Sequence, residues 1–150
     1  NAIHMVDLMR WICGEAKEVV ASSHFSDPHY ETSCVAHIRF EHTLGVLAAN
    51  RTCGQWTERI ETFGGGRSVI ADAPERFTIV DGKQVHDTFL TPLAMGWAST
   101  QERLGFRQEV EDFLRVVKHG GEVRTPAADA LETHRLVHRI LVAAGLPGLA

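Results

Sequence analysis

From Lys17 onward the chain alternates apolar and polar residues with period two, in segments too closely spaced to pair in any way but antiparallel. KEVVASSHF, SCVAHIRFEH, GVLAANRTC, TERIETF, RSVIAD and RFTIVDGKQVHDTF follow one another with short breaks between them. They are rich in Val, Ile and Thr, as half-buried strands are. A parallel crossover needs a dozen residues or more, so neighbours in this series run antiparallel. His42-Thr43 reads as the turn of one hairpin, the glycines of GGG as a second and Asp81-Gly82 as a third.

Helical spacing frames this run. Met5, Leu8, Met9 and Ile12 mark a first helix of about three turns, with Gly14 placed to end it in the left-handed conformation. Leu90 to Thr100, with Pro92 and Gly96, reads as an irregular connector. GFRQEVEDFLRVVKHGG puts Phe106, Val110, Phe113, Leu114 and Val117 on one helix face, Lys118 and His119 in the last turn and glycines at its end. TPAADALETHRLVHRILVAAG opens with Thr125 as N-cap and Pro126 at the first helical position, and its expected buried stripe is Ala130, Val137, Ile140, Leu141 and Ala144. The expected fold class is α+β: a predominantly antiparallel sheet of six or more strands with helices packed on one face. Residues 1–150 read as a single domain, long enough to bury about two-thirds of the unfolded chain's surface without a disulfide or a metal.

Charge and cysteine usage exclude several function classes. A formal net charge of −4, with acids and bases interspersed, argues against nucleic acid or an anionic membrane as partner, since both call for a concentrated basic face. A small molecule or a protein is the expected partner. Cys13, Cys34 and Cys53 are odd in number, lack C-x-x-C spacing and lie in apolar patterns, which reads as buried reduced thiols of an intracellular protein. No apolar run approaches the length of a membrane span and the start has no signal-peptide pattern, so a soluble cytoplasmic protein is expected. Helical periodicity begins at once with no initiator methionine, and the chain reads as cut from a longer one.

Three clusters invite chemistry. The GGGRSVIADA segment is not a dinucleotide cradle: its spacing is wrong, and it joins two strands where a pyrophosphate site needs a strand feeding a helix. His134 and His138 share a face of the last helix, but no acidic residue completes a metalloprotease pattern, and Arg135 and Arg139 add positive charge. Two solvent-facing histidines are the better reading. In SCVAHIRFEH, Cys34, Ala36, Ile38 and Phe40 alternate with Val35, His37, Arg39 and Glu41, and the second set could be solvated surface, a subunit contact or a ligand floor. His4 and Asp7, one turn apart on the first helix and off its apolar stripe, could both face a cleft. Histidine suits proton transfer near neutrality, and a nearby carboxylate can orient it; a pair of surface groups is the alternative.

IHMVDLMRWICGE resembles the H-x-x-D-x-x-x-x-x-x-G segment that opens the C-terminal domain of the glucose-fructose oxidoreductase, inositol dehydrogenase and MocA family (Gfo/Idh/MocA). GVLAANRTC, ERIETFGGGRSVIAD and the closing GFRQEVEDFLRVVKHGGEVRTPAADALETHRLVHRIL are similar to later family segments, in the same order. The resemblance implies the substrate-binding and oligomerisation half of an NAD- or NADP-dependent oxidoreductase, with a fold like the C-terminal domain of glyceraldehyde-3-phosphate dehydrogenase. NAD or NADP would be held mainly by an N-terminal Rossmann domain absent from this chain. The implied substrate is a sugar, cyclitol or related small molecule oxidised at a secondary hydroxyl, and the implied protein partner is a second copy, in a homodimer or larger assembly formed through the open sheet face.

The same resemblance makes His4 the catalytic acid/base or hydroxyl-orienting group. Asp7 matches a second acid of the motif, for which packing or orienting is the expected role; Gln55 and Trp56 fall where relatives present substrate-contacting side chains, an aromatic there could stack on a sugar ring, and Arg51 could line the same cleft. The lysine and aspartate that complete the family's proton machinery would lie upstream of Asn1, so the fragment alone is expected to be inactive. Two readings of other classes stand beside this one: a stand-alone α+β ligand-binding or dimerisation module without redox activity, and a histidine-metal hydrolase.

Overall fold

The computed structural model describes residues 2–27, 29–89 and 99–148. The chain divides into two compact units: Asn1–Gln55 with Thr125–Ala150, and Trp56–Arg124.

The first unit holds α1 (Ile3–Cys13), β1 (Glu18–His24), β2 (Ser33–Arg39), β3 (Leu44–Asn50) and, from the far end of the sequence, α4 (Ala127–Ala143). Its sheet is an antiparallel meander in the order β1-β2-β3. The register pairs Ala21 with Ala36 and Ala36 with Leu47, so the alternation read from the sequence becomes one inner and one outer face. The β2–β3 turn closes with Phe40 N–H donating to Thr43 O at 2.9 Å. On the inner face Ala36, Ile38 and Phe40 of β2 and its end are buried with Val6 and Met9 of α1 and Leu136 and Ile140 of α4. Gly45 permits that approach: a Cβ there would lie 2.6 Å from Met9 Cε and 3.0 Å from Phe40 Cε2.

Both helices present stripes different from those expected. On α1 the buried positions are Val6, Met9 and Arg10, while Ile12 is exposed. On α4 they are Thr133, Leu136 and Ile140, with Ala130 exposed. In each case a polar residue that an apolar pattern passes over is buried because a partner on the other helix satisfies it. Pro126, at φ −69° and ψ 151°, takes the N-cap position of α4 in place of Thr125, and its carbonyl accepts from Asp129 and Ala130 N–H. Gly14 does end α1 at positive φ, but with ψ −161° it is in an extended, glycine-only corner and not the left-handed helical basin.

The second unit holds β4 (Glu58–Gly64), β5 (Arg67–Ala73), β6 (Arg76–Asp81), β7 (Gln84–Phe89), α2 (Thr100–Arg103) and α3 (Phe106–His119). Its four strands form a separate antiparallel meander, so the seven strands among the described residues lie in two sheets. Gly65 and Gly66, at φ 57° and 77°, make the β4–β5 hairpin turn with the double positive φ that a type I′ turn requires. Of the expected connector Leu90–Thr100, residues 90–98 lie outside the described residues. Just beyond them, Ser99 and Glu102 form a capping box that the sequence reading passed over: Ser99 N–H donates to Glu102 Oε2 at 2.9 Å and Glu102 N–H to Ser99 Oγ at 3.4 Å. α3 ends as expected at Gly120, whose N–H donates to Val116 O. Its apolar side chains Phe106, Val110, Phe113, Leu114 and Val117 are all exposed.

The thiols correct the cysteine reading in part. All three are free; Cys13 and Cys34 are half-buried, and burial pushes both thiols up from the ordinary cysteine value. Cys53 is exposed in the loop after β3, where its Sγ donates to Gln55 O at 3.0 Å.

Candidate functional site

α1 carries its titratable residues on one edge. At about 100° per residue, the inward side of Met9, half-buried Cys13 and Val6 is followed around the helix by Arg10, then Asp7, then His4. Arg10 is 8% exposed, an unusual burial for a guanidinium. Five donors in a fixed fork need matching acceptors, and four hydrogen bonds hold this one. Nε donates to Glu15 Oε1 at 2.9 Å, Nη1 to Thr133 Oγ1 at 2.9 Å and to Asp129 O at 3.2 Å, and Nη2 to Asp129 Oδ1. Thr133 Oγ1 in turn donates to Asp7 Oδ1, and Arg10 Nη1 lies 3.8 Å from that same oxygen. The hydrogen bond and positive charge of Arg10 hold the Asp129 carboxyl below the usual aspartate value, and the Asp129 bond raises Arg10 further.

Asp7 is therefore engaged with Thr133 and Arg10 between α1 and α4. His4, one turn earlier, is exposed, with no side-chain partner among the described residues. Arg51 follows β3; its Nε donates to Glu31 O at 3.0 Å and Oε1 at 3.1 Å, its Nη2 also reaches Oε1, and the pair holds the Glu31 carboxyl below its ordinary value. The Arg51 backbone N–H donates to Thr32 O, and buried Thr32 ties its own loop to His24 O through both N–H and Oγ1. Gln55 and Trp56 are both exposed, Gln55 closing the first unit and Trp56 opening the second. The structure thus brings Asp7 to Arg10 and Thr133, and Arg51 to Glu31. No hydrogen bond or ion pair among the described residues joins His4, Asp7, Arg51, Gln55 and Trp56 to one another.

Sequence reasoning missed Arg10, Asp129 and Thr133. A signal existed: an arginine three residues after Asp7 inside MVDLMRWIC, and a threonine among apolar residues of α4. On the rest of α4, His134 Nδ1 lies 2.8 Å from Ala130 O, Arg135 pairs with Glu132, and Arg139 donates to Ala16 O and Lys17 O at 2.7 and 2.9 Å. Among the described residues, no group of three or more His, Cys, Asp or Glu side chains could hold a metal ion, and no helix is long and apolar enough to cross a membrane.

Residues 1–70 match the model of the GFO/IDH/MocA C-terminal domain. No curated protein matches the sequence. Among solved structures, a dehydrogenase from Clostridium difficile superposes with a TM-score of 0.82 at 14% identity, covering 95% of this chain and 46% of that one. UDP-N-acetylglucosamine 3-dehydrogenase from Acidithiobacillus ferrooxidans gives 0.79 at 20% identity, covering 95% and 44%. A Gfo/Idh/MocA family oxidoreductase from Vibrio cholerae gives 0.66 at 18% identity, covering 89% and 40%. The chain spans less than half the length of each of these three proteins. Its first 70 residues match the GFO/IDH/MocA C-terminal domain and its two antiparallel sheets with their helices have that domain's fold, which bears out the resemblance read from the sequence.

Proposed function

We propose that this chain is the substrate-binding and oligomerisation domain of a cytoplasmic, NAD- or NADP-dependent Gfo/Idh/MocA-type oxidoreductase acting on a secondary hydroxyl or carbonyl. The observation that carries the reading is the position of His4: it stands exposed on the edge of α1, inside the segment that matches the family model, beside an Asp7 already engaged by α4. A histidine with no side-chain partner among the described residues is available to a substrate hydroxyl, and imidazole is the side chain best suited to taking or returning a proton near neutrality. Arg51, Gln55 and Trp56 lie in the same matched segment and are assigned to substrate contact. A sugar, cyclitol or related molecule is the substrate class, in keeping with the sugar-nucleotide dehydrogenase among the structural neighbours.

Bound NAD or NADP would accept or supply the hydride. The glycine cluster does not fit a dinucleotide: it turns a β-hairpin, with no helix N-terminus following it to face a pyrophosphate. The reading therefore assigns the cofactor to a domain beyond this chain. Self-association is assigned to the outer face of the β1–β3 sheet, where Val20, Val35, Leu44 and Val46 are exposed.

The test is hydride transfer by the intact protein, followed as nicotinamide reduction with NAD and NADP against a panel of sugars, sugar nucleotides and cyclitols. Turnover on at least one, lowered about 100-fold or more by His4→Ala, supports the reading. Turnover unaffected by that change removes His4 from the chemistry, and no turnover on any member leaves the domain without the proposed activity.

A further inference from the structure

We propose that Arg10 and Thr133 are positioning residues that set the rotation of α1 about its own axis and thereby the place of His4. The role assigned to His4 rests on the oxidoreductase reading; the helix lock does not.

Apolar packing alone leaves that rotation loosely defined. Val6 and Met9 fit against Ile38, Phe40 and Leu136 through side chains that could repack at small cost, Met9 most readily. The Arg10 fork is stricter, because its acceptors are at fixed places on another element. One nitrogen is shared by the Asp129 backbone carbonyl and Thr133 Oγ1, a second reaches the Asp129 carboxylate, and Nε is held by Glu15 just past the end of α1. Thr133 is itself buried, and its hydroxyl, receiving from Arg10, can donate only onward, which it does to Asp7. The direction of each bond in this relay is thereby determined.

Geometry converts this into a position for His4. Side chains lie about 5–6 Å from a helix axis, so turning α1 by about 20° would carry His4 by ~2 Å. Misplacing a reacting group by about 1 Å can cost 10²-fold in rate. Around the helix Asp7 lies about 60° and Arg10 about 120° from His4, so the lock acts on the side of α1 that leads to it.

The experiment is backbone residual dipolar couplings of α1 and α4 in the whole chain, for wild type, Thr133→Val and Thr133→Ser. Valine keeps the shape and removes the hydroxyl; serine keeps the hydroxyl. The expected result is a reorientation of α1 relative to α4 in Thr133→Val, with helical chemical shifts retained in both helices, and wild-type couplings in Thr133→Ser. Couplings in Thr133→Val that match wild type overturn the proposal. Should Thr133→Val fail to fold, Asp129→Ala, at a half-exposed position, is read in the same way, and unchanged α1 couplings there overturn it equally. The readout is orientation, not turnover: a null result leaves the oxidoreductase reading standing, and failure of the hydride assay leaves the lock standing.

Discussion

The two units are built from the same kind of strand and differ in what covers them. In the first, seven apolar side chains from α1, β2 with its flanking Phe40, and α4 are buried together. In the second, Thr78 is the one residue of that burial among those described, and Phe63, Phe77, Val85 and Phe89 are all exposed. Alternation and turn chemistry build an antiparallel meander either way, of three strands in the first unit and four in the second; a core also requires a layer to lie on it. The sheet that has its layer obtains it from opposite ends of the chain, with α1 and α4 joined through Arg10, Asp129, Thr133 and Asp7. Burial among the described residues is accordingly concentrated in the first unit, and the higher local stability is expected there.

Truncating core aromatics should separate the units most widely. Phe40→Ala is expected to cost about 3–5 kcal/mol in urea unfolding, and Phe63→Ala, 71% exposed, no more than about 0.5 kcal/mol. Equal losses at the two sites would break the contrast. Next in size, Arg10→Met leaves the buried Thr133 hydroxyl and the Asp129 carboxylate without their donor, at about 1–3 kcal/mol. Arg59→Met, which removes the exposed pairs to Glu61 and Asp72 in the second unit, should stay within about 0.5 kcal/mol. A cost at Arg59 as large as at Arg10 would show that the second unit's surface network is as strong as the interhelical lock.

Gly45→Ala is expected to lower stability by about 1–2 kcal/mol, since its Cβ would press on Met9 and on the buried Phe40 ring. A neutral result would show that Met9 yields without loss. The smallest effect is on acid stability. Asp129 has its folded pKa lowered by Arg10, so the unfolded chain binds the proton more readily and stability rises with pH across the window between the two values. That contribution is complete above about pH 4, the ordinary aspartate value, and disappears as pH falls through the lower folded one. Asp129→Ala should therefore flatten part of the acid limb of an unfolding curve while leaving its shape near neutrality unchanged. A limb identical to wild type would contradict it.

Strand identity, hairpin turns and antiparallel pairing were legible because they depend on neighbours in sequence: β-branched alternation, the glycines at 65, 66 and 82, and the short links between segments. The division of seven strands into two sheets was not, since nothing local to residues 51–57 says whether β3 and β4 pair. Helix faces were misread for a related reason. An apolar count places Ile12 and Ala130 inside, whereas Arg10 and Thr133 take their place by satisfying each other, a pairing across 123 residues that no periodicity reveals. His4 and Asp7 could be picked out as a pair from their spacing and the family resemblance, but the tie of Asp7 to α4 needed the structure. Arg51 was singled out without Glu31, its partner across 20 residues.

The reading of this chain as half of a dehydrogenase meets its most direct test in the coding sequence upstream of Ile3, read for about 150 codons, roughly one further domain. An open frame with a strand, a G-x-G-x-x-G turn and a helix, a lysine after a later strand and an aspartate four positions before His4 is the expected result. A start codon immediately ahead of Ile3 would contradict it, leaving a small α+β module with no partner domain for His4 to face.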